Sequence, residues 1–172
     1  MNLIGKNITY KPDDQFHLND VSFNFKKGNL YTILGRTLSG KTTFLKTIAG
    51  LLNPDSGNLS FEDKDFSKIP VWERNVAMVY QQFINYPNFT VFENIASPLK
   101  ITGVKSDEIK ERVGKVAELL KLSAMLNKKP DELSGGQQQR TALARALVKD
   151  SDLILLDEPL ACLLYTSDAA DE

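Results

Sequence analysis

The sequence GRTLSGKTT at residues 35–43 places the strongest restriction on the fold, because it fits the pattern G-x-x-x-x-G-K-[ST]. It follows the apolar run NLYTIL, which predicts a buried strand. Apolar residues recur at helical spacing from Lys41 onward, and Asn53 and Pro54 are expected to stop that helix. Gly35 and Gly40 allow backbone conformations closed to other residues, so that successive N–H groups can point into one concavity. A helix that begins near Lys41 adds its positive end. The pattern predicts a phosphate-binding loop; the alternative is a tight strand-to-helix turn.

Each residue of this loop has a predicted role in holding the phosphates of a nucleotide. Lys41 would reach the β- and γ-phosphates, and the hydroxyl of Thr42 would bind Mg²⁺. The remaining residues that would line the concavity are Gly35, Arg36, Thr37, Leu38, Ser39, Gly40 and Thr43.

The sequence DLILLDEP, an apolar run followed by two acids, supplies a second element of the site. Leu153–Leu156 predicts a strand covered on both faces, with Asp157 and Glu158 at its carboxyl end. Ligands of open α/β sheets bind at that edge. Asp157 is expected to hold Mg²⁺ and Glu158 to polarise the attacking water. A polar turn after a strand is the alternative.

The sequence LSGGQQQR supplies a third element, in which Ser134 and Gln137 have the spacing of a capping box. Helix capping alone would account for those two residues. Gly135 and Gly136 also open the backbone at the helix N-terminus, which makes a second anion site. One nucleotide rarely needs two such sites from separate helices. The segment therefore predicts a surface that closes on the ATP of another subunit.

Taken together, these segments resemble those of the ATP-binding cassette (ABC) ATPases. GRTLSGKT is similar to their Walker A loop, LSGGQ to their signature, LILLDE to their Walker B strand, and Gln81 stands at their Q-loop position. The resemblance extends from about residue 1 to Ala161. It implies a homodimer, or a pair of ABC ATPase subunits, with each ATP between one Walker A loop and the other subunit's signature. Ser134 and Gly136 would then contact the partner's γ-phosphate.

The resemblance also implies roles for residues outside these three segments. Gln81 would contact Mg²⁺ and the attacking water while linking them to a helical subdomain predicted at residues 89–133. Tyr10 is expected to stack on the adenine of ATP, with Phe16 as a second candidate. A core position is the alternative for Tyr10.

Within the family, GRTLSGKTT and MVYQQFINYPNFTVFENIASPL resemble importers of sugars or polyols, including glycerol. Such importers use segments like INYPNF to receive a helix of the membrane subunit. Tyr86, Pro87 and Phe89 are therefore expected to form an aromatic docking surface for permease subunits, and local packing is the alternative. The cofactors implied are ATP and Mg²⁺. The expected location is the cytoplasmic side of the cell membrane.

The expected fold class is α/β: a P-loop NTPase core with a mostly parallel sheet, an antiparallel β part at the N-terminus and an inserted helical subdomain. In the helical block, Thr90 and Glu93 predict a capping box, and Ser106 is expected to cap the next helix. The predicted divisions are a nucleotide-binding core (1–88), a helical subdomain (89–133), the signature helix with the Walker B strand (134–160) and a non-matching tail (161–172).

The resemblance ends after Ala161. Leu164 stands where the family has an aspartate, no switch histidine follows, and His17 is expected to be an ordinary surface or turn residue. The tail is interpreted as foreign or out of frame, with a divergent natural end as the alternative. We therefore expect an incomplete fragment of low ATPase activity, whose Leu153–Leu156 strand forms an exposed edge.

Composition and charge argue against other classes of protein. The 21 basic and 22 acidic residues leave no overall field for nucleic acid. The one cysteine, Cys162, excludes an internal disulfide, and no apolar run approaches the roughly 20 residues of a spanning helix. A soluble ABC ATPase that acts on nucleic acid or ribosomes is the alternative. The absence of a basic patch from the sequence argues against it. A small-molecule kinase would leave LSGGQ unexplained.

Overall fold

The computed structural model describes residues 2–62 and 64–159. They form two compact units, one ending at Asn75 and the other beginning at Val76. The predictions for Cys162, Leu164 and the tail lie outside the described residues. No helix in the described ranges has the length and apolar character to cross a membrane.

The first unit is built on an antiparallel sheet with the strand order β2-β1-β3-β4. The antiparallel β part expected at the N-terminus is therefore present. Leu3, Ile8, Leu18 and Leu59 are buried in this sheet. The register of β1 shifts between Gly5 and Ile8, which interrupts the strict alternation of side chains along the strand. The four strands are β1 (Asn2–Tyr10), β2 (Leu18–Lys26), β3 (Ser56–Phe61) and β4 (Lys64–Asp65).

Helix α1 (Lys41–Ala49) begins where the sequence predicted and ends earlier than expected. Asn53 and Pro54 were predicted to stop it, but Gly50 ends it in the left-handed region, at φ 82°. The N–H of Gly50 donates to the carbonyls of Lys46 and Thr47, two groups near the helix end where regular helical partners run out.

The buried strand predicted for NLYTIL is absent from the described residues, and this prediction is wrong. Residues 29–36 have no regular structure, and the side chains of Leu30 and Leu34 are 90% and 88% exposed. A central strand needs hydrogen-bonded neighbours along its length. The ladders of the described chain pair β1 with β2 and β3, β3 with β4, and β5 with β6, and none includes this segment.

The described part of the second unit combines two parallel strands with three α-helices. Helix α2 packs against α3 and α4, and its core includes the fully buried side chains of Val91, Ile95, Val113 and Leu122. The elements are β5 (Val76–Val79), α2 (Val91–Ile101), α3 (Ser106–Leu119), α4 (Gly135–Leu147) and β6 (Leu153–Leu156).

Strand β6 is not covered on both faces, contrary to the prediction. Leu155 is buried, whereas Ile154 and Leu156 are 38% and 36% exposed. Within the described residues β6 pairs with β5 alone, which agrees with the expected exposed edge.

The helix caps follow the sequence in one case and depart from it in another. The Thr90 hydroxyl accepts from the N–H of Glu93, and the Glu93 carboxylate accepts from the N–H of Thr90, which confirms the capping box. Ser106 does not cap α3, so that prediction is wrong: Lys105 holds the N-cap position without a side-chain bond, and Ser106 is the first helical residue.

This capping box predicts an acid-sensitive start to α2. The hydrogen bond from the Thr90 backbone N–H holds the pKa of Glu93 below its usual value. The resulting stability is present above the unfolded pKa of about 4.3 and is lost as the pH falls through the lower folded value. Glu93→Gln should therefore lose less thermal stability than the parent between pH 6 and pH 3, measured by circular dichroism. The exposed residue Glu118 offers the control Glu118→Gln, and an equal loss in all three proteins would contradict the assignment.

Candidate nucleotide-binding site

The predicted phosphate-binding loop closes around the Lys41 side chain in the first unit. Lys41 Nζ donates to the backbone carbonyls of Gly35 and Arg36, each at 2.9 Å. The ammonium group thus lies inside the loop, directly before the N-terminus of α1. A positive charge and a helix N-terminus together favour an anion at this place.

Backbone conformation explains the glycine at position 40. Gly40 is the N-cap of α1 with φ 86°, which L side chains rarely adopt. A Cβ atom at Gly40 would overlap the carbonyl oxygen of His17, and one at Gly35 would overlap the Ser39 hydroxyl. Leu38 also has a positive φ of 66°, and its side chain is fully exposed. Side chains at these two glycines would therefore collide with neighbouring atoms of the first unit.

His17 lies beside the loop, a position that sequence analysis did not anticipate. It is exposed in the turn after β1, as expected, but its Nδ1 is 3.5 Å from the Thr43 hydroxyl. Its ring meets that of Tyr10 edge-on at a centroid distance of 6.1 Å.

The two candidates for stacking on adenine differ in burial. Tyr10 is half-buried, whereas Phe16 is 55% exposed and has Lys11 Nζ over its ring.

In the second unit, the predicted catalytic residues Gln81 and Glu158 meet. Gln81 Nε2 donates to a carboxylate oxygen of Glu158 at 2.8 Å, although the two residues are 77 positions apart in the chain. Glu158 is exposed and has a positive φ of 48°, which turns the chain directly after β6. Asp157 is buried, and its N–H continues the parallel pairing by donating to Val79 at 2.9 Å.

The predicted signature segment forms the first turn of α4. Ser134 accepts from the N–H of Gln137, and the Gln137 side chain accepts from the N–H of Ser134, so the capping box is confirmed. A Cβ at Gly136 would meet no described atom within 4 Å, and one at Gly135 would only touch Phe83 at 4.0 Å. This helix N-terminus is uncrowded on its glycine side.

The aromatic residues of the predicted docking surface are partly exposed. Tyr86 and Phe89 are 46% and 42% exposed, and their ring centroids are 5.3 Å apart. Arg145, which sequence analysis did not single out, places its guanidinium 5.0 Å from the centre of the Tyr86 ring. Burial lowers the pKa of Arg145, an effect that Tyr86 opposes.

A phosphate-binding loop before a helix, with an acid pair after a strand of another part of the chain, defines a P-loop nucleotide-binding protein. The family model for ABC transporters matches residues 18–161. The chain therefore belongs to the ABC transporter family.

Similar proteins agree with this family. The chain is 45% identical over 168 residues to the glucose import ATP-binding protein GlcV of Saccharolobus solfataricus, covering 94% of this chain and 48% of that protein. It is 44% identical over 149 residues to the molybdate/tungstate import ATP-binding protein WtpC of Thermococcus kodakarensis, covering 87% and 45%. The spermidine/putrescine import ATP-binding protein PotA of Protochlamydia amoebophila is 40% identical over 161 residues, with coverage of 94% and 43%. The chain thus spans about half the length of these curated relatives.

Solved structures give the same result for the fold. A dimeric ATP-binding cassette in a post-hydrolysis state bound to ADP and Pi has a TM-score of 0.82 and 32% identity, over 92% of this chain and 75% of that one. A dimeric bacterial ABC transporter cassette has a TM-score of 0.84 and 31% identity, over 97% and 78%. The predicted fold class, a mixed α/β ABC ATPase, is confirmed.

Proposed function

We propose that the protein binds and hydrolyses ATP to energise a membrane importer. The observation that carries the hydrolytic part is the hydrogen bond between Gln81 and Glu158. It brings together an amide that can hold a water and a carboxylate that can accept the water's proton. In the in-line displacement, the water oxygen forms a bond to the γ-phosphorus, its proton passes to Glu158, and the bond to the leaving ADP oxygen breaks.

The residues predicted to hold the nucleotide fit a nucleoside triphosphate. A loop with glycine at positions 35 and 40 can direct backbone N–H groups at phosphate oxygens, and the Lys41 ammonium supplies the positive charge. Thr42, Gln81 and Asp157 are the residues that would hold Mg²⁺, which neutralises charge on the phosphates when bound. Tyr10 would stack on the adenine ring.

The signature segment would complete the site of a second subunit. Ser134, Gly135, Gly136 and Gln137 offer an uncrowded helix N-terminus, which suits contact with a γ-phosphate from outside the chain. We infer a homodimer, or a pair with another ABC ATPase, in which each ATP lies between two chains.

The import function is supported by the names of the relatives, all of which are import ATP-binding proteins. Their solutes differ, since they are named for glucose, molybdate or tungstate, and polyamines. We propose a sugar or polyol, because GRTLSGKTT and the segment around Tyr86 resemble importers of that group. Permease subunits at the cytoplasmic side of the membrane would dock at Tyr86, Pro87 and Phe89. Co-purification with a permease, followed by uptake of labelled glycerol or glucose into proteoliposomes, tests this; recovery with ribosomes would contradict it.

Replacing Glu158 with glutamine should slow turnover by about a hundredfold or more while leaving ATP binding intact. A positioned general base contributes about 10²–10⁴-fold to rate, and glutamine keeps the shape of glutamate without its basicity. Phosphate release measures the rate, and binding of a fluorescent ATP analogue measures affinity. Asp152→Asn is the control, because it neutralises an exposed carboxylate just before β6. Unchanged phosphate release by Glu158→Gln would show that another group takes the proton.

A further inference from the structure

The loop at residues 84–90, here named the docking loop, is held on one side by a buried asparagine of α2. Asn94 is fully buried. Its Oδ1 accepts from the N–H of Tyr86 at 2.8 Å. Its Nδ2 lies 3.0–3.1 Å from the carbonyls of Tyr86, Phe89 and Thr90. The loop therefore has a defined shape before anything docks on it.

The other side of the docking loop is attached to α4 at two points. Asn85 Nδ2 donates to the backbone carbonyl of Gln138 at 2.9 Å. Arg145 Nη2 donates to the carbonyl of Ile84 at 2.5 Å, and its guanidinium faces the Tyr86 ring. A planar guanidinium can make both contacts at once, whereas a lysine ammonium cannot match that geometry.

Two attachments on one helix restrain its direction as well as its position. Gln138 and Arg145 are seven residues apart, which corresponds to about 10 Å along the helix axis. The N–H of Gln138 bonds to the carbonyl of Ser134 at 2.9 Å, so the first attachment lies one turn from the signature N-cap. Beyond that turn, the Gln139 side chain donates to the carbonyl of Pro159, which follows Glu158.

We propose that Asn85 and Arg145 are positioning residues that clamp the docking loop to α4, so that a displacement of the loop moves Ser134 and the first turn of α4 with it. The source of the displacement, a docked membrane subunit, rests on the proposed function. The clamp itself does not, because each of its contacts lies within the second unit. It gives the docking loop and the signature segment one shared movement.

Amide hydrogen exchange of the protein without nucleotide or membrane subunit tests the clamp. Asn85→Ala and Arg145→Gln should each raise the exchange rates of Tyr86 and Phe89 in the loop and of Gln137 and Gln138 in α4. A rise of about fivefold corresponds to one hydrogen bond of ordinary strength. The double variant should exceed either single variant by less than a further fivefold, because losing one attachment already releases the clamp. Arg145→Lys should fall between Arg145→Gln and the parent.

The matched control is Arg112→Gln, since Arg112 Nη2 also donates to a carbonyl at the end of α4, that of Val148 at 2.9 Å, yet it does not touch the docking loop. It should leave the amides of Tyr86 and Gln137 unchanged. The proposal is wrong if only the loop amides exchange faster, or if the effect of the double variant equals the product of the two single effects. It is also wrong if amides of α3 such as that of Val113 accelerate equally, because that would mean a general loss of stability. A negative result would reject the clamp alone. The proposed ATP binding and hydrolysis would still stand, so the two failures can be told apart.

Discussion

Replacing Lys41 with alanine is expected to weaken ATP binding about a hundredfold. Its ammonium already lies inside the loop, where it donates to the carbonyls of Gly35 and Arg36. A hydrogen bond to a charged group contributes about 1.5–3 kcal/mol, and each 1.4 kcal/mol is tenfold in affinity. Alanine removes the charge and leaves the helix N-terminus in place. Equilibrium titration with a fluorescent ATP analogue measures the change.

Lys46→Ala is the control for this experiment. Lys46 belongs to the last turn of the same helix, so its replacement removes the same charge at the other end. Its affinity should stay within about twofold of the parent, because a charge at the helix C-terminus lies far from the anion site. Equal losses in both variants would mean that net charge, and not contact with phosphate, governs binding.

Replacing Ser134 with arginine is expected to prevent ATP-driven dimerisation while one subunit still binds ATP. The glycine side of this helix N-terminus is uncrowded, as a surface that receives a partner's phosphate must be. A long side chain at the N-cap would occupy that space. Light scattering with ATP in the Glu158→Gln background, where the bound nucleotide persists, measures the dimer.

Two control variants separate the reasons for such a loss. Ser134→Ala removes the cap, at a cost of about 0.5–2 kcal/mol, together with the hydroxyl proposed to contact the partner's phosphate, but it adds no bulk. It should dimerise more weakly than the parent and more tightly than Ser134→Arg. Ser123→Arg adds an arginine at an exposed position of the same unit and should dimerise normally. If Ser134→Arg lost ATP binding as a monomer, the segment would belong to its own chain's site, and the two-chain arrangement would be wrong.

Local signals in the sequence predicted the elements that carry the candidate site. The capping boxes at Thr90 and Ser134 depend on residues three apart, and both formed as expected. The helix from Lys41 follows from apolar spacing after a glycine loop. Such patterns need no knowledge of distant parts of the chain.

Features that depend on distant partners could not be predicted in the same way. The apolar run before Gly35 has the composition of a strand, but backbone pairing along it decides whether one forms. The cover over Ile154 and Leu156 likewise depends on neighbours that the run itself does not specify. The end of α1 at Gly50 is different: glycine is the usual residue just past a helix end, but Leu51 and Leu52 after it continue the apolar spacing and concealed that signal.

The site residues that sequence analysis missed act through contacts across the chain. Arg145 reaches a carbonyl 61 positions away, and no spacing rule indicates that. The position of His17 beside Gly40 is a contact between residues 23 positions apart, which no local pattern indicates. The binding and catalytic roles assigned to individual residues stay predictions, to be tested by the variants above.

Mixing two defective proteins tests most directly whether one triphosphate is gripped by two chains. Lys41→Ala and Ser134→Arg, each in the Glu158→Gln background, should remain monomeric alone at ATP concentrations that saturate the parent. A mixture should assemble into a heterodimer with one ATP, because the intact loop of one chain meets the intact signature of the other. A mixture that stays monomeric, while the Glu158→Gln parent dimerises, would contradict the account.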